Sequence, residues 1–226
     1  MPRLFIGTFL SDQSCQKVLK LAEANAHLSK VWNTKVRWTA ADKLHITWLF
    51  LGNVKGEVVA EVKAALAECM QGLKLSGEPL ILQYEQLELW PNERKARLGV
   101  ITPHVVPNDI PIIATGLEHA LRRFIPKEER AHGHELKTFK PHLTVMRLSH
   151  DKKHRKSHSP YSEPVSSRSE SVSSHSESQR TRIKFADVRV DRDIFPIAHK
   201  IDEIVLIESD LGKQTLGYEK LAAFKV

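Results

Sequence analysis

Two segments of this 226-residue chain carry the same triplet, His-x-Thr, inside apolar runs and at matching places of a repeated pattern. The first run reads Leu44-His45-Ile46-Thr47-Trp48-Leu49-Phe50-Leu51-Gly52, and the second Phe139-Lys140-Pro141-His142-Leu143-Thr144-Val145-Met146-Arg147. Each is preceded by another strand-like run, Arg3–Phe9 and Arg97–Ile101, and then by helical periodicity starting near Asp12 and Ile110. The helix starts lie 33 and 32 residues ahead of His45 and His142. This reads as two copies of one strand–helix–strand unit. Two such lobes related by a pseudo-twofold axis bring both triplet strands to one central cleft. The expected architecture is therefore α+β and bilobal, with antiparallel sheet lining the cleft and helices outside.

The other elements fit that plan. Asp12–Val31 places Val18, Leu21, Ala22, Leu28 and Val31 on one side of a helix. Glu57–Met70 stripes Val58, Val62, Ala65, Leu66 and Cys69, and Ile110–Phe124 stripes Ile113, Leu117, Ala120, Leu121 and Phe124, with Pro111 in a first-turn position. Further strand-like runs are Leu44–Leu51, Leu80–Leu89, Leu143–Leu148, Lys184–Val190, Asp202–Glu208 and Tyr218–Phe224. Together they make one domain over residues 1–226, interrupted once. Residues 149–182 hold 12 serines and 4 histidines, with Tyr161, Val165 and Val172 as the clearly apolar side chains. Such a stretch buries too little surface to offset its ordering entropy and is expected to be a disordered insertion. Its His150, His154, His158 and His175 alternate with Ser, Lys and Arg rather than with carboxylate or thiol ligands, which favours a surface loop over a metal site.

Charge narrows the partners only a little. The net charge is +7, of which the insertion carries +3 through 7 Lys/Arg against 4 Asp/Glu. The remaining +4 suits RNA and an ordinary solvated surface about equally. Cys15 and Cys69 sit on apolar helical faces and read as two reduced core thiols. No run approaches the ~18 apolar residues of a membrane span, and the first residues lack the pattern of a secretory signal, so a cytoplasmic protein is expected.

In a strand, His45 and Thr47 share one face, as do His142 and Thr144, while Ile46, Trp48, Leu143 and Val145 point into the lobes. With 12 histidines and 10 threonines, random placement gives roughly half a His-x-Thr triplet. One copy is weak evidence; two, in matching strands, are not. His27-Leu28-Ser29 has the same kind of spacing, but in a helix its side chains diverge by about 200°. No serine sits in a glycine-flanked nucleophile turn, and there is no phosphate-binding glycine loop or His-Glu-x-x-His zinc helix. Two imidazoles flanking a phosphate divide the work: the neutral ring takes a proton from the nucleophile, and the imidazolium gives one to the leaving oxygen. The threonine hydroxyls donate to non-bridging phosphate oxygens. The arrangement needs no metal and suits a cyclic phosphodiester.

These motifs resemble those of the 2H phosphoesterase superfamily, and within it the RNA 2′,3′-cyclic phosphodiesterases, also called 2′-5′ RNA ligases. The matching pieces are Arg3-Leu4-Phe5-Ile6, Leu44-His45-Ile46-Thr47 with Phe50-Leu51-Gly52, Phe139-Lys140-Pro141-His142-Leu143-Thr144 with Arg147, and a closing Ile204-Val205-Leu206-Ile207-Glu208-Ser209 with Gly217-Tyr218. The resemblance covers nearly all the chain outside residues 149–182. It implies hydrolysis of RNA 2′,3′-cyclic phosphate ends to 2′-phosphates without ATP, metal or other cofactor, with 2′-5′ RNA joining as a second activity. It assigns His45 as proton donor and His142 as proton acceptor, Thr47 and Thr144 as phosphate contacts, and Arg147 as a substrate contact. Strict alternation places Arg147 on the face opposite His142, where a surface ion pair is the competing role. Trp90-Pro91 stands where the family more often has Phe-Pro. The expected partner is RNA or an oligonucleotide with a cyclic phosphate end, bound by a monomer away from membranes. The alternative is a nucleotide- or RNA-binding module on the same fold that does not turn its ligand over.

Overall fold

The computed structural model describes residues 1–127, 139–149, 183–191, 193–209 and 217–226. The insertion at 149–182 thus lies, apart from Ser149, outside the described residues. In chain order the elements are β1 (Arg3–Phe9), α1 (Asp12–Ala24), α2 (Leu28–Val31), β2 (Lys35–Trp38), β3 (His45–Asn53), α3 (Val59–Gly72), β4 (Ile81–Trp90), β5 (Leu98–Pro103), α4 (Asp109–Leu121), β6 (Leu143–Ser149), β7 (Ile197–Lys200), β8 (Glu203–Ser209) and β9 (Tyr218–Lys225). The strands form one mixed-order sheet, β7-β4-β5-β6-β3-β1-β8-β9, with β2 added to β6. Every pairing is antiparallel.

The two expected lobes are the two halves of this sheet, β3-β1-β8-β9 and β6-β5-β4-β7. They join through the pairing of Ile46 with Leu143, the central residues of the two triplets. The observed helices begin at Asp12 and Asp109, so each starts 33 residues before its histidine. The helices cross over: α1 lies on β7, where Ser14 Oγ donates to Ala198 O at 2.9 Å and Lys17 to Pro196 O at 2.8 Å. α4 lies on β3 and α3, in the half that does not contain its own neighbours β5 and β6. Its packing on α3 is close; a Cβ on Gly116 would stand 2.7 Å from Leu73 Cδ2. This exchange ties the halves into one core, in which Leu4, Ile6, Ile46, Leu143 and Val145 are fully buried along the central strands.

Two expectations need correction. The helix expected over Asp12–Val31 breaks after Ala24. Asn25 Nδ2 donates to Leu21 O and Arg189 O, and its Oδ1 accepts the Arg189 N–H at 2.7 Å, so the side chain ends one turn and anchors a distant segment. Lys184–Val190 is not a strand. Phe185–Asp187 forms a 3-10 turn whose groups bond to side chains rather than to a neighbouring strand: Phe185 N–H to Glu93, and the Asp187 carboxylate to Trp32 Nε1. Both cysteines are free thiols, Cys15 buried and Cys69 partly so. No helix of the described residues is long and apolar enough to cross a membrane.

Candidate active site

The strands that carry the triplets share an irregularity. In the β1–β3 pair Gly7 faces Thr47 and Ile6 faces Leu49, leaving Trp48 as an extra residue. In the β5–β6 pair Val100 faces Thr144 and Gly99 faces Met146, leaving Val145 extra. Each is a β-bulge three residues after its histidine, and a bulge advances the alternation by one. A glycine flanks each: a Cβ on Gly7 would lie 3.0 Å from the Ile46 carbonyl oxygen, and one on Gly99 would collide with the Met146 side chain. Trp48 and Leu49 are both buried, as are Val145 and Met146. The residue five after each histidine therefore returns to the histidine's face. In β3 this is Phe50, 49% exposed, and in β6 it is Arg147. The expectation of Arg147 on the opposite face is overturned by this bulge.

Because β3 and β6 run antiparallel through the Ile46–Leu143 pair, His45 stands beside Thr144 and Thr47 beside His142 across the seam. The two rings are fixed alike. His45 Nδ1 bonds to Lys43 O at 2.7 Å, and His142 Nδ1 to Lys140 O at 2.8 Å, each the carbonyl two residues upstream. A carbonyl oxygen only accepts, so each Nδ1 carries the proton and each Nε2 is left for a ligand.

The surroundings of the rings differ. His45 packs among Phe5 at 4.9 Å, Tyr218 at 5.2 Å in edge geometry and Phe9 at 6.4 Å between ring centres. Burial lowers its pKa below the ordinary histidine value; the Lys43 carbonyl opposes this, and the charges of Arg147 and His142 lower it further. His142 instead lies 4.6 Å from the Trp90 ring. Trp90 Nε1 donates to Glu88 Oε2 and the Thr102 hydroxyl to Glu88 Oε1, both at 2.7 Å. These two bonds hold the Glu88 carboxyl below its usual range against burial, with the charges of Lys140 and His142 adding to them. His45 is thus walled by three aromatic rings, and His142 by one aromatic ring with a carboxylate hydrogen-bonded behind it. Behind Phe9 and Tyr218 a pocket of about 590 Å³ opens, reaching Leu10, Cys15 and Ala41 and rimmed by Asp12 and Asp42. The histidines lie outside it. Among the described residues no group of three or more His, Cys, Asp or Glu is placed to hold a metal ion.

The profile of the AKAP7 2'5' RNA ligase-like domain matches residues 5–191. The chain belongs to that family. With it comes membership of the 2H phosphoesterase superfamily. The fold of this 2'5' RNA ligase-like domain is similar to TT0787 of Thermus thermophilus, with a TM-score of 0.62 and 20% identity over 99% of this chain and 97% of that one. It is also similar to E. coli LigT complexed with ATP (TM-score 0.59) and with 3'-AMP (TM-score 0.60), each at 18% identity over 100% of this chain and 99% of that one. No curated protein sequence matches the chain.

In this ligase-like domain all five residues singled out from the sequence, His45, Thr47, His142, Thr144 and Arg147, lie on one face of the adjoining strands β3 and β6. The sequence reading passed over four others around them. Tyr218 walls His45, and Glu88 fixes Trp90 against His142. Arg37 stands directly opposite Arg147 on β2. The signal for Arg37 was the polar–apolar alternation Lys35-Val36-Arg37-Trp38, too short to read as a strand. Phe50 required the bulge, which leaves no mark in alternation alone.

Proposed function

We propose that the protein hydrolyses RNA 2′,3′-cyclic phosphate ends to 2′-phosphates with His45 as proton donor and His142 as proton acceptor. The observation that carries this reading is the paired Nδ1 anchoring: two imidazoles on adjoining strands, each with Nε2 free, each beside a threonine of the other strand. A phosphate bound at the seam meets both. Water attacks phosphorus as His142 Nε2 takes its proton, the bond from phosphorus to the 3′-oxygen breaks, and His45 Nε2–H protonates that oxygen. The products are a 2′-phosphomonoester and a 3′-hydroxyl. Thr47, Thr144 and Arg147 hold the non-bridging oxygens, with the charge-assisted Arg147 contact the strongest of the three. Apart from the attacking water, every group in this scheme is a side chain, and neither ATP nor a metal enters it. The same geometry run with an RNA 5′-hydroxyl as the incoming or leaving group would make or break a 2′-5′ linkage. E. coli LigT, which shares the fold, has been solved with ATP, with 3'-AMP and with phosphate, ligands of the class this cleft would take.

A second reading is a nucleotide-binding module without turnover. It draws on the lowered pKa of His45, since a ring that is neutral in the free protein is a poor donor. A bound phosphate anion counters that effect by favouring the imidazolium. The deciding experiment incubates the protein with a short RNA bearing a 2′,3′-cyclic phosphate, with and without EDTA. We expect a 2′-phosphate end in both. Binding without product supports the module, and activity lost to EDTA and restored by a divalent metal overturns the mechanism.

A further inference from the structure

Arg37 and Arg147 face each other directly across β2 and β6. Side chains so paired leave the sheet on the same side with Cβ atoms about 5 Å apart, and like charges in that position weaken the sheet. Both residues are exposed. Among the described residues no carboxylate pairs with either, and Arg37 Nη2 donates instead to the Ser149 hydroxyl at 3.3 Å. The register is held firmly in spite of the repulsion. Thr39 donates its N–H to Val145 O and its hydroxyl to Thr144 O, both at 2.8 Å, clamping β2 against the bulge. The next exposed residue of β2 is another cation, Lys35, opposite Ser149. Arg147 and, along β2, Arg37 and Lys35 therefore make a cationic patch on this edge of the sheet, built at a cost that an anion between the arginines would relieve.

An RNA with a cyclic phosphate at its 3′ end has chain only on the 5′ side of the last nucleotide. The nearest further negative charge is thus the phosphate on the 5′-oxygen of that nucleotide. We propose that Arg37 forms a second phosphate subsite that takes this 5′-phosphate, beside Arg147 and further along the sheet than the phosphate at the histidines. The inference rests on the reading above for which phosphate sits at the histidine pair. It makes the preferred ligand an oligonucleotide end or a nucleoside 2′,5′-bisphosphate rather than a lone 2′-phosphate.

The test uses the full chain and equilibrium binding, so that it does not depend on turnover. Adenosine 2′-monophosphate and adenosine 2′,5′-bisphosphate are titrated by calorimetry. The bisphosphate is expected to bind roughly tenfold tighter, the scale of one charge-assisted contact. Arg37→Gln should erase most of that difference and leave the monophosphate unchanged, while Arg37→Lys keeps part of it. For a dinucleotide the log–log salt slope should fall by about 0.7 in Arg37→Gln. Equal affinities in the unmodified protein, or equal losses for both ligands in the variant, overturn the subsite. If cyclic-phosphate RNA is cleaved and those affinities are equal, the subsite alone falls. If the Arg37-dependent preference is found without cleavage, the subsite stands and the hydrolytic reading falls.

Discussion

His45 and His142 occupy equivalent places, yet the surroundings of the two rings differ. His45 lies among three aromatic rings and within the field of Arg147, and both effects disfavour its charged form. In the proposed reaction a bound phosphate anion would favour the imidazolium and so let His45 hold the proton it donates. This gives a sign that can be measured. Replacing Arg147 by Gln removes a positive charge that lowers the His45 pKa, so that pKa should rise in the free protein. Titration of the His45 ring carbons by NMR reads it directly, and an unchanged or lower value would mean that the Arg147 charge does not reach the ring. The His142 side has a different dependence. Its aromatic neighbour Trp90 is held by a hydrogen bond to Glu88, which a phenylalanine in its place could not make. Trp90→Phe should keep the ring contact and hand Glu88 Oε2 to water, costing about 0.5–1 kcal/mol of stability in a denaturant titration. If stability is unaffected, that bond is not holding the ring.

Elements whose apolar pattern and length agree were legible in the sequence, and those whose backbone bonds run to distant side chains were not. β1 emerges over the expected Arg3–Phe9, and the matching units emerge with both helix starts 33 residues before the histidines. The four-residue β2 and β7 are too short to carry a period. The turn at Phe185–Asp187 alternates like a strand, but Glu93, Trp32 and Asn25 bind this segment from elsewhere in the chain. The bulges escaped for a similar reason: an extra residue is visible only in pairing with β1 and β5. β7 also carries a cost the pattern hid. His199 is buried beneath α1, where its Nδ1 accepts the Ser11 N–H at 3.5 Å and its Nε2 has no partner. Burial pushes its pKa down to about 4, against the opposing charge of Asp202. The unfolded chain, with a pKa near 6.5, then binds the proton more readily than the folded one. Stability is complete above pH ~6.5 and is lost as the pH falls toward ~4, by up to about 3 kcal/mol. Denaturant midpoints at pH 7 and pH 4.5 should differ more for the natural chain than for His199→Leu; equal differences would sink this account.

At the scale of the molecule, one sheet built from two similar halves brings unlike chemistry to a shared seam. The crossed helices α1 and α4 lock the halves, so the histidines are positioned by a common core rather than by a hinge between lobes. The Ser-rich composition of 149–182 offers that core almost nothing to bury, so a chain lacking residues 150–181 should keep its melting temperature within a few degrees and still hydrolyse a dinucleotide. Unfolding on deletion would show that the segment packs. The division of labour across the seam also sets how the rate depends on pH. Under the proposed mechanism only the state with His142 neutral and His45 protonated is productive, so the rate should follow a bell whose two apparent pKa values belong to the coupled pair. For the free protein, as read by kcat/KM, burial and Arg147 draw the His45 limb toward lower pH, while bound phosphate should move it up in kcat. His45→Ala and His142→Ala should each slow the chemical step by roughly 10²–10⁴ with little change in affinity, the first flattening the alkaline limb and the second the acid limb. Under the same mechanism the proton delivered to the 3′-oxygen should leave phosphate on the 2′-oxygen. A 3′-phosphate would mean that His45 faces the other oxygen. A rate that climbs steadily to about pH 9 would leave no role for an imidazolium, and the paired histidines would then be holding the phosphate without transferring protons to it.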